Sequence, residues 1–230
     1  MTANKRFSLH SLPGKYRIKY SPTGKLLLLA STKGHFATLN WQTKSLVQEF
    51  DVREETNAIT WLHQEQFFAA AQSKWTRVYE NETGSEIHCL THFHKIKHLE
   101  FLPYHFLLVG ATDRHRIHYL DISVGKNVAT VNTQTSLKIN SMKKNRHNAI
   151  IHCGFQDGTV GLYSPNHVKG SVVTFQALRE PINDIAIDNG GRYVACAGMG
   201  KKVGIYSVFK NEIFENDGLF FQKNVEFGQK

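Results

Sequence analysis

Ala149-Ile150-Ile151-His152-Cys153-Gly154-Phe155-Gln156-Asp157-Gly158-Thr159-Val160-Gly161-Leu162-Tyr163 is the stretch that decides the fold. Its first half is nearly all apolar, as a strand sandwiched between neighbouring sheets must be. Asp157-Gly158 is the strongest tight-turn signal in the chain, because glycine accepts positive φ without steric cost. The second half is a strand that closes on a ring, Tyr163. Working outward, the same order recurs along the chain. The closing positions are Trp41, Tyr79, Leu120, Tyr163 and Tyr206, at intervals of 38, 41, 43 and 43 residues. Apolar second strands recur with them, among them Leu26-Leu27-Leu28-Leu29-Ala30 and Phe67-Phe68-Ala69-Ala70-Ala71. A period near forty residues, built of short strands, predicts an all-β propeller in which each repeat is one four-stranded blade.

Five blades are predicted, at about 16–57, 58–95, 96–136, 137–180 and 181–214. Residues 1–15 read as an N-terminal arm and 215–230 as a C-terminal tail. The small residues Ala30, Ala71, Gly110, Gly154 and Ala197 near the ends of the second strands would let neighbouring sheets approach closely. Ring closure is the open point. Either the ring closes with five blades, or it is an incomplete or shortened seven-bladed ring whose end faces need cover. Phe7-Ser8-Leu9 could add a closing strand beside the last blade, whose own fourth strand would lie near 212–214. Trp41→Ala should cost ~3–5 kcal/mol if that ring is packed between blades.

The 230 residues are 41% hydrophobic, enough for a globular core and too little for a disordered chain. The apolar runs are strand-length, shorter than a membrane helix needs. Cys89, Cys153 and Cys196 are sparse and odd in number, which fits a reducing compartment. The net charge of +9 favours anionic partners such as RNA.

Chemistry-bearing motifs are weak. His88, Cys89, His92, His94 and His98 are spaced like no closed zinc site, and read as a polar linker. Gly198-Met199-Gly200-Lys201 joins two strands, where a phosphate loop would open a helix. No nucleophile motif or close carboxylate pair is apparent. Catalytic residues, metal ligands and cofactors are therefore not expected. The basic turns are more informative. Turns between second and third strands share one rim of a propeller, and they carry Lys33, Lys74, Arg114, Lys201 and Lys202. Such a rim could track phosphates. Lys143, Lys144 and Arg146 crowd a turn on the opposite face. Solvated turn lysines, or a face for an acidic protein, would look the same.

A family resemblance is carried by longer runs. These are Tyr16-Arg17-Ile18-Lys19-Tyr20-Ser21, Gly34-His35-Phe36-Ala37-Thr38-Leu39-Asn40-Trp41, and above all Leu99-Glu100-Phe101-Leu102-Pro103-Tyr104-His105-Phe106-Leu107-Leu108. With Tyr119-Leu120-Asp121-Ile122 and Asn148-Ala149-Ile150-Ile151-His152-Cys153-Gly154, they resemble the nucleolar WD-repeat family of the small-subunit processome, associated with the U-three small nucleolar RNA. The resemblance covers about residues 7–207. It implies a WD-repeat β-propeller and a non-enzymatic scaffold in nucleolar pre-rRNA processing and small-subunit assembly. The implied partners are other processome proteins, WD-repeat subunits included, with pre-rRNA and snoRNA touched directly or indirectly. No membrane or small-molecule substrate is implied. The Trp-Asp pair that names such repeats is absent; Leu120-Asp121 comes nearest. The alternative is a generic peptide-binding adaptor of the same fold with no RNA role.

Overall fold

The computed structural model describes residues 14–113, 115–133, 137–200 and 202–207. The expected strands at Phe7-Ser8-Leu9 and near 212–214 lie outside these residues. The described residues form nineteen strands in five antiparallel sheets, with one 3-10 turn at Pro103–His105. Two compact units meet in sequence at Phe106 and Leu107.

The first unit opens with β1 (Tyr16–Tyr20), β2 (Leu26–Ser31), β3 (His35–Asn40) and β4 (Ser45–Asp51), paired in chain order. A second meander follows: β5 (Thr56–Trp61), β6 (Phe67–Gln72), β7 (Thr76–Glu80) and β8 (Glu86–Leu90). β9 (Ile96–Leu102) ends the unit and packs along β5 and β6. All of β5 is buried, and so is β6 after Phe67. That explains why the second strand is apolar on both faces. The core joins Leu28, Ala30 and Phe36 of the first sheet to Ile59, Trp61, Phe68, Ala70 and Tyr79 of the second. Phe68 is its centre, with Phe36, Phe50, Trp61 and Tyr79 around it at ring separations of 5.5–6.4 Å.

The second unit contains β10 (Leu107–Thr112), β11 (Arg116–Asp121) and β12 (Lys126–Asn132), ordered β12-β11-β10. Next come β13 (Ile139–Lys144), β14 (Ile151–Phe155), β15 (Thr159–Tyr163) and β16 (Val173–Gln176), in chain order. β17 (Ile182–Ile187), β18 (Tyr193–Gly198) and β19 (Val203–Ser207) close the described chain. Gly154 does what its smallness promised. A methyl there would lie 2.7 Å from Ile182 and 3.0 Å from Ile185, so β17 rests directly on it. The two sheets share a core of Val160, Leu162, Ile182, Ile185, Val194 and Cys196. Cys153 and Cys196 are buried, and burial pushes both thiols far above their usual range.

Two irregularities recur. A register shift falls at Thr38/Leu39, Val78/Tyr79 and Tyr119/Leu120, where the third strand of three repeats meets the fourth. A second falls in the first strand of three repeats: Thr56/Ala58, Ile139/Ser141 and Ile182/Asp184. The residue left over is an asparagine each time: Asn57, Asn140 and Asn183. In the first unit Asn57 Nδ2 donates to Gln72 O at 3.3 Å, and Asn57 Oδ1 accepts from Lys97 Nζ at 2.9 Å. A short polar side chain thus ties down the backbone that the bulge frees.

The ring positions separate on this register. Tyr79, Leu120 and Tyr163 are buried, and Tyr206 is half-buried with its hydroxyl donating to Ala177 O. Trp41 lies one residue past β3 and is 48% exposed. In the first repeat, Leu39 occupies the place after the bulge that Tyr79 and Leu120 hold in theirs. Trp41 folds back over the first turn, its indole N–H donating to Gly24 O at 2.6 Å. With one hydrogen bond and half a ring at stake, Trp41→Ala is expected to cost only ~1 kcal/mol in chemical denaturation. That is well below the cost of a ring packed between blades.

His152 is fully buried in β14, and neither ring nitrogen has a hydrogen-bond partner among the described residues. Burial holds its imidazole down at about 4, against an ordinary value near 6.5. The folded chain therefore resists a proton that the unfolded chain accepts. Stability from neutral His152 is complete above the unfolded value and is lost as pH falls from there toward the folded one. Between pH 7 and 5 the loss should be ~2 kcal/mol. Denaturation midpoints at both pH values check this. His152→Leu should flatten the difference.

Candidate nucleic-acid and partner interface

In the first unit, the connectors between second and third strands are Thr32-Lys33-Gly34 and Ser73-Lys74-Trp75. Gly34 sits at φ +97°, and a methyl there would lie 2.6 Å from the backbone of Glu54. The first connector is thus pressed against the segment that leads from β4 to β5. Val52 N–H donates to Gly34 O at 2.9 Å, and Thr56 N–H to Thr32 O at 3.2 Å. This segment brings charge that the repeat pattern does not announce. Arg53, at φ +57°, and Glu55 line a shallow cleft with Thr32 and Lys33. Glu54 reaches the next connector, accepting from Ser73 Oγ at 2.9 Å and pairing with Arg77 at 2.7 Å.

Around Lys74 the setting is basic and aromatic. Its ammonium lies 4.9 Å from the centroid of the Trp75 ring. His94 meets the same ring edge-on at 6.3 Å and 74°. Lys95 N–H donates to Lys74 O at 3.2 Å, so two exposed lysines leave adjoining backbone. Trp75 is partly exposed.

The remaining sequence candidates are dispersed. In the second unit, Lys202 lies 3.9 Å from Glu180. The corresponding turn of the preceding repeat carries Asp157. Lys143 and Lys144 end β13, and Arg146 follows in the turn to β14. Lys143 is 3.8 Å from Asp184, and Arg146 donates to Asn189 Oδ1 at 3.5 Å. Arg114 and Lys201 lie outside the described residues. The structure therefore gathers Lys33 with Arg53, and Lys74 with Lys95, within one unit. Sequence reasoning missed Arg53, Lys95 and Trp75, because two of them sit in connectors with no periodic signal.

First strands meet through polar side chains as well. Lys19 Nζ is 2.9 Å from the buried carboxylate of Glu100 and donates to Leu99 O at 3.4 Å. Trp61 Nε1 donates to Lys19 O at 3.0 Å. This pairing fills both partners, so it serves the packing of β1, β5 and β9. Among the described residues, no three His, Cys, Asp or Glu side chains converge as metal ligands.

Four-stranded antiparallel meanders repeated along the chain are blades, and the fold is that of a β-propeller. The β-propeller domain of Cps50 (Swd1) from Myceliophteria thermophila superposes with a TM-score of 0.70. It matches 90% of this chain and 69% of that one at 10% sequence identity, a likeness of fold alone. No family model matches the sequence. The chain is similar in sequence to a particular group of WD-repeat proteins. Over 208 residues, 90% of its length, it is 42% identical to WD repeat-containing protein 46 of Caenorhabditis elegans. It is 38% identical to the Homo sapiens protein of that name. It is also 38% identical to U3 small nucleolar RNA-associated protein 7 of Saccharomyces cerevisiae. The nucleolar WD-repeat resemblance read from the sequence is borne out at this level. The chain spans about a third of the length of these relatives.

Proposed function

We propose that this chain is a non-catalytic scaffold segment of the small-subunit processome, acting in nucleolar pre-rRNA processing and small ribosomal subunit assembly. The observation that carries this reading is its 38% identity, over 90% of the chain, to a protein named for association with the U3 small nucleolar RNA. The net charge of +9 and the paired cations of the first unit agree with it. Its partners are other processome proteins and RNA. Loops on sheet ends offer a platform, and the polar inner strands are occupied with each other.

Two measurements test the reading. The chain should co-sediment with large pre-ribosomal particles, and its depletion should lower small-subunit rRNA; unchanged rRNA would refute the role. Direct RNA contact is tested by salt titration. About four phosphate contacts to single-stranded RNA predict a log–log slope near −3. A flat salt response would favour the peptide adaptor.

A further inference from the structure

We propose that Trp75, flanked by Lys74 and Lys95, is a stacking site for a base of single-stranded RNA. The proposal rests on the RNA contact argued above and gives it an address. Single-strand sites combine an aromatic face with cations that follow the backbone, because every base has a π-face and every link a phosphate. Both parts are present here within one unit. The Trp75 backbone is pinned, since its carbonyl accepts from Gln72 N–H at 2.9 Å, and His94 lies against the indole at 6.3 Å. It is nonetheless partly exposed, so a base can reach it. Lys74 and Lys95 are exposed and linked through their backbones.

The charge around the ring favours RNA over an acidic or apolar peptide. Neither Ser73-Lys74-Trp75 nor Thr91-His92-Phe93-His94-Lys95 contains a carboxylate. The acids nearest this end, Glu54 and Glu86, are both paired with Arg77, at 2.7 and 3.4 Å. Lys74 already sits 4.9 Å from the ring, the geometry by which a cation can serve both an indole and a phosphate beside it. The exposed Tyr104 has no lysine or arginine in its own turn, Pro103-Tyr104-His105-Phe106, and lacks that second half.

The test uses the full chain carrying Trp41→Phe, so that fluorescence reports on Trp75 and the buried Trp61. Short oligouridylate is titrated at low salt, with fluorescence anisotropy of labelled RNA measured in parallel. Quenching should saturate with the same Kd as the anisotropy change. Trp75→Ala should weaken binding about tenfold with the salt slope kept, and Trp75→Phe should retain most of the affinity. Lys74→Ala should shallow the slope by about 0.7. RNA binding that leaves Trp75 fluorescence unchanged and survives Trp75→Ala would overturn this site while the RNA reading stands. Absence of RNA binding would end both. Equal quenching by polyglutamate would assign the site to acidic peptides and overturn the proposal.

Discussion

Gly158→Ala is expected to destabilise the second unit by ~3 kcal/mol, read as a lower urea midpoint. Gly158 holds φ +86°, and a methyl there would lie 2.0 Å from Leu178 O and 2.6 Å from Glu180 O. The backbone cannot retreat. Gly158 O accepts from Ala177 N–H at 3.0 Å and Leu178 N–H at 2.9 Å, the bonds that return the chain from β16. Asp157 fixes the other side, accepting from Thr159 N–H at 3.0 Å and Thr159 Oγ1 at 2.6 Å. Gly125 supplies the control. It sits at φ +71° with nothing within 4 Å of an added methyl. Gly125→Ala carries the dihedral strain alone and should cost ~1 kcal/mol. Equal midpoints for the two variants would show that crowding at Gly158 is not what makes the turn.

Phe68→Ala is the second large effect, at ~4 kcal/mol. The ring is fully buried among Phe36, Phe50, Trp61 and Tyr79. Those neighbours belong to two different sheets, so a void there cannot be closed by shifting one strand. Phe68→Leu should recover more than half the loss. A urea midpoint for Phe68→Ala within experimental error of the parent would mean that the sheets are held elsewhere.

The strands were legible because the second strand of each repeat must be apolar on both faces, and because asparagine, aspartate and glycine mark the turns between. The apolar second strands expected at 26–30 and 67–71 fall in β2 and β6, and the strand closing on Tyr163 is β15. Three first strands extend beyond their most apolar residues. β5 begins at Thr56, β9 at Ile96 and β13 runs on to Lys144. In β5 the bulged Asn57 breaks the two-residue alternation a strand is recognised by, just where the strand begins. The same kind of slip explains Trp41: counting residues cannot tell a ring after the bulge from one two places beyond it. Lys33 and Lys74 lie in connectors between second and third strands. Their surroundings were not legible, since Arg53, Glu54 and Lys95 reach them from linkers whose charges follow no period.

The two recurrent slips bear on ancestry. Three copies of an asparagine pushed out at one place, and three register jumps at another, are specific departures from ideal pairing. Independent origins would scatter such flaws; duplication transmits them. Gene segments exchanged at the turns after β4 and β8 should therefore yield chimaeras that fold, because each carries its inherited defect together with the residues that accommodate it.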